Sequence, residues 1–157
     1  MKKNNLFSYK QMMPILVGLI ITTSAFNTAN ATITTNKAAI ASFMKCYKNV
    51  SFVNWKTTEL FTKASFKQDG ANVEVFYDNE GELIATSKSI SIKDLPKNAI
   101  KYFEKWYSAP TYTVKNSIEY VTADGEKKYF VSVEDKKHAR LYEVTIDGKV
   151  SFFKTIS

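Results

Sequence analysis

Four of the five glycines fall in short acidic turns: Lys67-Gln68-Asp69-Gly70, Asp78-Asn79-Glu80-Gly81, Asp124-Gly125 and Asp147-Gly148. Beside these turns apolar and polar residues alternate, as happens when successive side chains point to opposite faces of a sheet. Glycine suits the left-handed backbone that a tight hairpin connection requires. The constraint on the fold is strong. Turns this short join neighbouring antiparallel strands, whereas parallel strands need a crossover of a dozen residues or more.

Two stretches break the alternation with helical spacing. Over Asn36 to Tyr47, the residues Ile40, Phe43, Met44 and Tyr47 form one stripe, with Asn36 as N-cap and Asn49 as stop. A second helix opens at Asp94-Leu95-Pro96, with Asp94 as N-cap, and carries Ala99, Ile100, Phe103, Trp106 and Tyr107 on its stripe. It must end before Pro110, because the residue preceding a proline is pushed toward extended geometry. Strands are expected at Phe52–Trp55, Leu60–Phe66, Asn72–Tyr77 and Leu83–Ile92, then at Tyr112–Val121, Tyr129–Glu134, Arg140–Ile146 and Lys149–Ile156. The order is helix, four strands, helix, four strands. The parallel between Tyr77-Asp78-Asn79-Glu80-Gly81-Glu82-Leu83 and Ile146-Asp147-Gly148-Lys149-Val150 reads as a tandem duplication, with repeats over about 36–93 and 94–157. The predicted fold class is α+β: one antiparallel sheet with both helices on one face. Trp55 and Trp106 are expected between helix and sheet.

The amino terminus is of another kind. Lys2, Lys3 and Lys10 precede an apolar run from Met12 to Ile21, and Ala29-Asn30-Ala31 closes a small polar stretch. Positive flank, apolar core and A-x-A box make residues 1–31 a cleavable signal peptide, with the mature chain starting at Thr32. The run is too short for a permanent span, which takes about 20 residues, and no later stretch is long or apolar enough. Exported, periplasmic or secreted protein is the expectation. Of the +7 formal charge, three units leave with the signal peptide, so the mature domain of 32–157 carries +4. A surplus that small gives no nucleic-acid footprint.

Trp55 in Val53-Asn54-Trp55, the Asp-x-x-Gly turn ending at Gly81, Leu95-Pro96 at the second helix and Gly148 near the end together resemble the PepSY-like proteins. These are small exported bacterial proteins related in fold to the beta-lactamase inhibitor protein. The resemblance spans residue 36 to the end. It implies a two-repeat fold and a binding or inhibitory role, and its motif carries no catalytic residue.

Catalytic equipment is sparse. His138 is the sole histidine, in the charged tip Asp135-Lys136-Lys137-His138-Ala139-Arg140, which leaves a nucleophilic triad without a base in reach. Cys46 is the sole cysteine; it rules out an internal disulfide and reads as a small buried residue on the first helix. One His and one Cys build no usual zinc site, no phosphate-cradling or dinucleotide glycine motif occurs, and no cofactor is expected. Two acidic clusters, Asp78/Glu80/Glu82 and Glu134/Asp135, sit at turns, where acids bond to local backbone. They keep a secreted carboxylate-dependent enzyme as an alternative, beside a structural envelope protein. Lys127, Lys128, Lys136, Lys137 and Arg140 surround neighbouring hairpins, as sheet-edge guards against aggregation or as a docking site for an acidic partner.

The main functional expectation comes from the strand period. Placing Val73, Val75, Tyr77, Tyr129, Val131, Val133, Tyr142, Val144, Ile146, Val150 and Phe152 under the helices sends Phe76, Phe130, Leu141 and Phe153 to the other face. Left in water there, these four would anchor an unidentified protein or peptide of the cell envelope. A bulge that shifted the register is the circumstance that would return them to the core.

Overall fold

The computed structural model describes residues 36–156; the expected signal peptide and cleavage box lie outside them. Helix α1 is Lys37–Cys46 and α2 is Lys97–Trp106, with a 3-10 turn at Ile92–Asp94. The strands are β1 (Asn54–Thr57), β2 (Thr62–Gln68), β3 (Ala71–Tyr77), β4 (Leu83–Ile90), β5 (Thr113–Thr122), β6 (Lys127–Glu134), β7 (Ala139–Val144) and β8 (Val150–Thr155). They form one eight-stranded sheet in sequence order, and all its pairs are antiparallel. The fold is α+β. Among the described residues no helix is long and apolar enough to cross a membrane.

Each helix is positioned by local chemistry. The Asn36 carboxamide oxygen accepts from the Ala38 and Ala39 N–H groups at 2.9 and 3.2 Å, which satisfies donors that a helix start leaves open. Asp94 is not the N-cap of α2. It closes a capping box with Ser91 on the 3-10 turn, and Pro96 occupies the cap position of α2. The first helix also stops short of Asn49, with Tyr47 as C-cap.

Both helices pack on the same sheet face, over separate clusters. Under α1, Ala39 and Phe43 meet Ala64, Phe66, Val73, Val75 and Tyr77. Under α2, Ala99 and Phe103 meet Val131, Val133, Tyr142 and Val144. The expected stripes are trimmed at their ends. Met44 is exposed, and Trp106 is 57 % exposed with Lys105 Nζ 4.9 Å from its ring centroid. Trp106 occupies the last residue of α2, where the helix finishes and Tyr107 turns back to hydrogen-bond Tyr142. Trp55 behaves closer to expectation: it is half-buried, edge-on to Phe43 at 5.3 Å. Cys46, expected inside, is exposed. Ile146 and Phe152, expected on the covered face, are exposed too: Ile146 lies in the β7–β8 turn and Phe152 on the outermost strand.

The strand expected at Phe52 begins later, at Asn54. Phe52 has φ +57°, left-handed backbone that an extended strand cannot use.

Candidate functional site

The candidate site is the sheet face turned away from both helices. Strand pairing sets its rows. Lys63 opposes Phe76, which opposes Ala85. One row along, Ser65, Glu74, Ser87, Tyr120 and Lys128 lie side by side across five strands. The next row brings Ile118 to Phe130 and Phe130 to Glu143.

Phe76, Phe130, Leu141 and Phe153 stand on this face, as strand alternation requires. The ladder shifts register at Phe76/Tyr77, Val114/Asn116 and Leu141/Tyr142, and none of these bulges turns the four residues over. Their expected exposure is corrected. Phe76, Phe130 and Leu141 are each 0 % exposed, in a cluster with Phe61, Ile84, Ala85, Ile118 and Tyr120. Phe153 is half-buried at the β8 margin, with Ile156. Rings pack edge-on within the face: Phe61 on Phe76 at 5.6 Å, Tyr120 on Phe130 at 5.9 Å and Phe130 on Phe153 at 5.3 Å. A sheet of this width twists and coils, which brings side chains on neighbouring rows into mutual contact. Flat alternation on paper cannot show that.

A charged pair sits among the rings, and the sequence reading did not find it. Lys63 Nζ lies 2.6 Å from Glu74 Oε1, with the two side chains only 7 % and 12 % exposed. Ser65 Oγ donates to the same oxygen at 3.3 Å, and the ammonium lies 5.9 Å from the centroid of the Phe76 ring. Glu74 Oε2 is buried without a hydrogen-bond partner. An unfilled acceptor in a low-dielectric setting is costly. The pairing is diagonal, since Glu74 opposes Ser65 and not Lys63. Only a residue-by-residue register built out from the Asp69-Gly70 turn could have found it. Nearby, burial pushes the Tyr120 hydroxyl up to about 12. Lys128, at the open side, bonds Glu126 at 3.2 Å and Glu143 at 3.5 Å.

The two acidic clusters hold turns together. Asp78 Oδ1 accepts from the Glu80 and Glu82 N–H groups at 3.0 and 2.8 Å. Asp135 Oδ1 accepts from the Lys137 and His138 N–H groups at 2.8 and 2.9 Å, and its other oxygen takes the Arg140 guanidinium at 2.7 Å. Those backbone donors first, then Arg140, hold the carboxyl down at about 2. Such a group is committed to its charged form and makes a poor proton donor near neutral pH. The His138 ring is exposed, 3.7 Å from Asp135. Among the described residues no three His, Cys, Asp or Glu side chains gather closely enough to hold a metal ion. Lys127 is likewise paired, to Glu119 at 2.8 Å.

No family model matches the chain, and no curated protein matches it by sequence. Solved structures do match. A Bacteroides eggerthii protein described as periplasmic aligns with TM-score 0.69 at 14 % identity, over 76 % of this chain and 88 % of that one. A DUF2874 family protein from Bacteroides uniformis gives 0.68 at 15 % identity, over 76 % and 88 %. A BLIP-like protein from Bacteroides fragilis gives 0.63 at 19 % identity, over 79 % and 88 %. At these identities the likeness shows the fold: it is the BLIP-like arrangement of two helices on an eight-stranded open sheet.

Proposed function

Starting from the BLIP-like fold, we propose that this chain is an exported, non-enzymatic binding module. Its working surface is the sheet face away from the helices, and its ligand is a protein or peptide of the cell envelope. Phe76, Phe130 and Leu141 form the floor of that surface, and Phe153 is the part a partner reaches. The observation that carries the reading is Glu74 Oε2, an acceptor without a donor, set among aromatic side chains on a face that neither helix covers. If the side chains over that buried oxygen part on binding, a partner's N–H group would complete its hydrogen bonding, and the flanking rings would give that partner apolar contact. The resemblance to PepSY-like proteins at Trp55, Gly81, Leu95-Pro96 and Gly148 points the same way, as does the inhibitory role that goes with the fold's namesake, by analogy only.

Two experiments test this. For export, mass spectrometry of the cell-envelope form is expected to find Thr32 as the first residue; an intact Met1 on that form overturns the leader. For binding, the chain from Thr32 is used to capture a partner from an envelope fraction by crosslinking. Phe153→Ser and Glu143→Lys, at the accessible side of the face, are expected to cut capture by roughly tenfold or more, as substitutions at interface anchors do. Lys101→Glu, on the outer side of α2, is expected to leave it unchanged. Equal capture by all three variants assigns the partner to another surface.

A further inference from the structure

The α1–β1 edge carries a second surface feature. From Lys37 to Thr58 the chain has four lysines and no acid. Lys45, Lys48 and Lys56 are exposed and form no ion pair among the described residues. Between α1 and β1, Phe52 is 99 % exposed, at φ +57°. Its surroundings are anchored: Tyr47, Val50 and Val53 on either side pack against the cluster under α1. Phe52 is therefore held outward at a fixed tip.

Met44 extends this apolar point. On the other flank of α1, Ser42, Lys45 and Cys46 line a cleft with Glu82 and Leu83 on the β4 side. Helical spacing puts Met44 on the opposite flank, toward the outer strand β1, and Lys48 follows just beyond the C-cap Tyr47. The fold gains nothing from Phe52 as it stands. The left-handed backbone there suits Gly or Asn, and an aromatic ring in water buries no surface. The acids bordering this edge are Glu59, three residues beyond Lys56, Asp69, at the tip of the neighbouring hairpin beside Lys67, and Glu82, in the cleft with Lys45. Lysine is in excess at this edge.

We propose that this edge docks on an anionic lipid bilayer, with Phe52 and Met44 entering the headgroup layer and Lys48 and Lys56 facing lipid phosphates. A projecting ring within a cationic surround fits the interfacial layer of a membrane. It fits a protein partner less well, because a stable protein contact needs about 800 Å² of matched surface on each side.

The test uses the chain from Thr32, which holds every described element and omits the apolar run at Met12–Ile21. Co-sedimentation compares vesicles of phosphatidylglycerol mixed with phosphatidylcholine against phosphatidylcholine alone. Binding is expected on the anionic vesicles only, and it is expected to vanish as salt rises from about 0.1 M to about 1 M, where screening shortens charge interactions from about 10 Å to about 3 Å. Phe52→Asn is expected to lower binding roughly fivefold, by loss of inserted apolar area, while its unfolding midpoint stays level or rises because Asn tolerates the backbone. The double variant Lys48→Glu, Lys56→Glu reads the charge independently and is expected to abolish binding. The proposal is overturned if the wild type ignores anionic vesicles, binds neutral ones equally, or keeps its affinity in either variant. It is also overturned if the chain binds polyglutamate but no vesicle, which would place an acidic macromolecule at this edge.

Discussion

A Cβ at position 81 would lie 2.6 Å from the carbonyl carbon of Ala38, so the β3–β4 turn and the first turn of α1 touch backbone to backbone. The Asn36 side chain ties the same two elements, donating to the Asp78 and Asn79 carbonyls at 3.2 and 2.9 Å. The other half of the molecule uses the same device. A Cβ at position 148, in the β7–β8 turn, would lie 3.0 and 3.1 Å from the Asn98 and Pro96 side chains, and Asn98 donates to the Asp147 carbonyl at 3.5 Å. In each half, the turn between the third and fourth strands docks onto the start of that half's helix.

Gly81→Ala is expected to destabilise the fold by about 2–4 kcal/mol, combining the left-handed backbone penalty with overpacking against Ala38. Gly125 has a similar φ of +86° but nothing within 4 Å of an added Cβ, so Gly125→Ala is expected to cost only about 1 kcal/mol. Urea unfolding of the two variants measures the difference. Equal costs would mean that the Ala38 contact is slack.

The Lys63–Glu74 pair is expected to behave as a buried pair. Lys63→Met or Glu74→Gln alone leaves one partner stranded and is expected to cost about 3 kcal/mol. Both changes together are expected to recover most of that loss, since two desolvated charges are removed at once. A double-mutant cycle by denaturant unfolding checks this; simple addition of the two losses would show that the charges do not depend on each other.

Asp135 sets an acid limit. Its carboxyl, ordinarily near 3.8, is held at about 2 by the Lys137 and His138 N–H groups and by Arg140. A folded-state value below the unfolded one gives stability that is present above about pH 4 and is lost as pH falls toward about 2. Asp135→Asn is therefore expected to unfold more easily than wild type at pH 7. The two unfolding midpoints are expected to converge between about pH 4 and pH 2. A gap that persists unchanged at the lowest pH would show that the carboxylate's charge is not what matters.

The two tryptophans are expected to part company. Trp106→Ala is expected to change stability by less than about 1 kcal/mol, as exposed positions do. Trp55→Ala, losing its edge-on contact with Phe43, is expected to cost about 2 kcal/mol, below the range for full burial. Iodide quenching of each single-tryptophan variant gives a direct check, and stronger quenching of Trp55 than of Trp106 would reverse the assignment.

What could be read from the chain were the features that follow from backbone period. Alternation put Val75 and Tyr77 on one face and Phe76 on the other, and short acidic glycine turns marked four of the seven strand connections as antiparallel hairpins. Asn36 was legible as a cap because capping is settled within three residues. The places where reading failed depend on residues far apart in sequence. Whether Phe76 is wet or dry depends on Phe61 across the sheet. Whether Trp106 is covered depends on where α2 ends over its strands. Lys63 and Glu74 meet on a diagonal that needs the register of the whole hairpin. Phe52 is left outside because Val50 and Val53 are both drawn in. Side-chain direction is a local property and burial is a collective one, so the sequence by itself assigned the faces while only the tertiary structure decided which of them is dry.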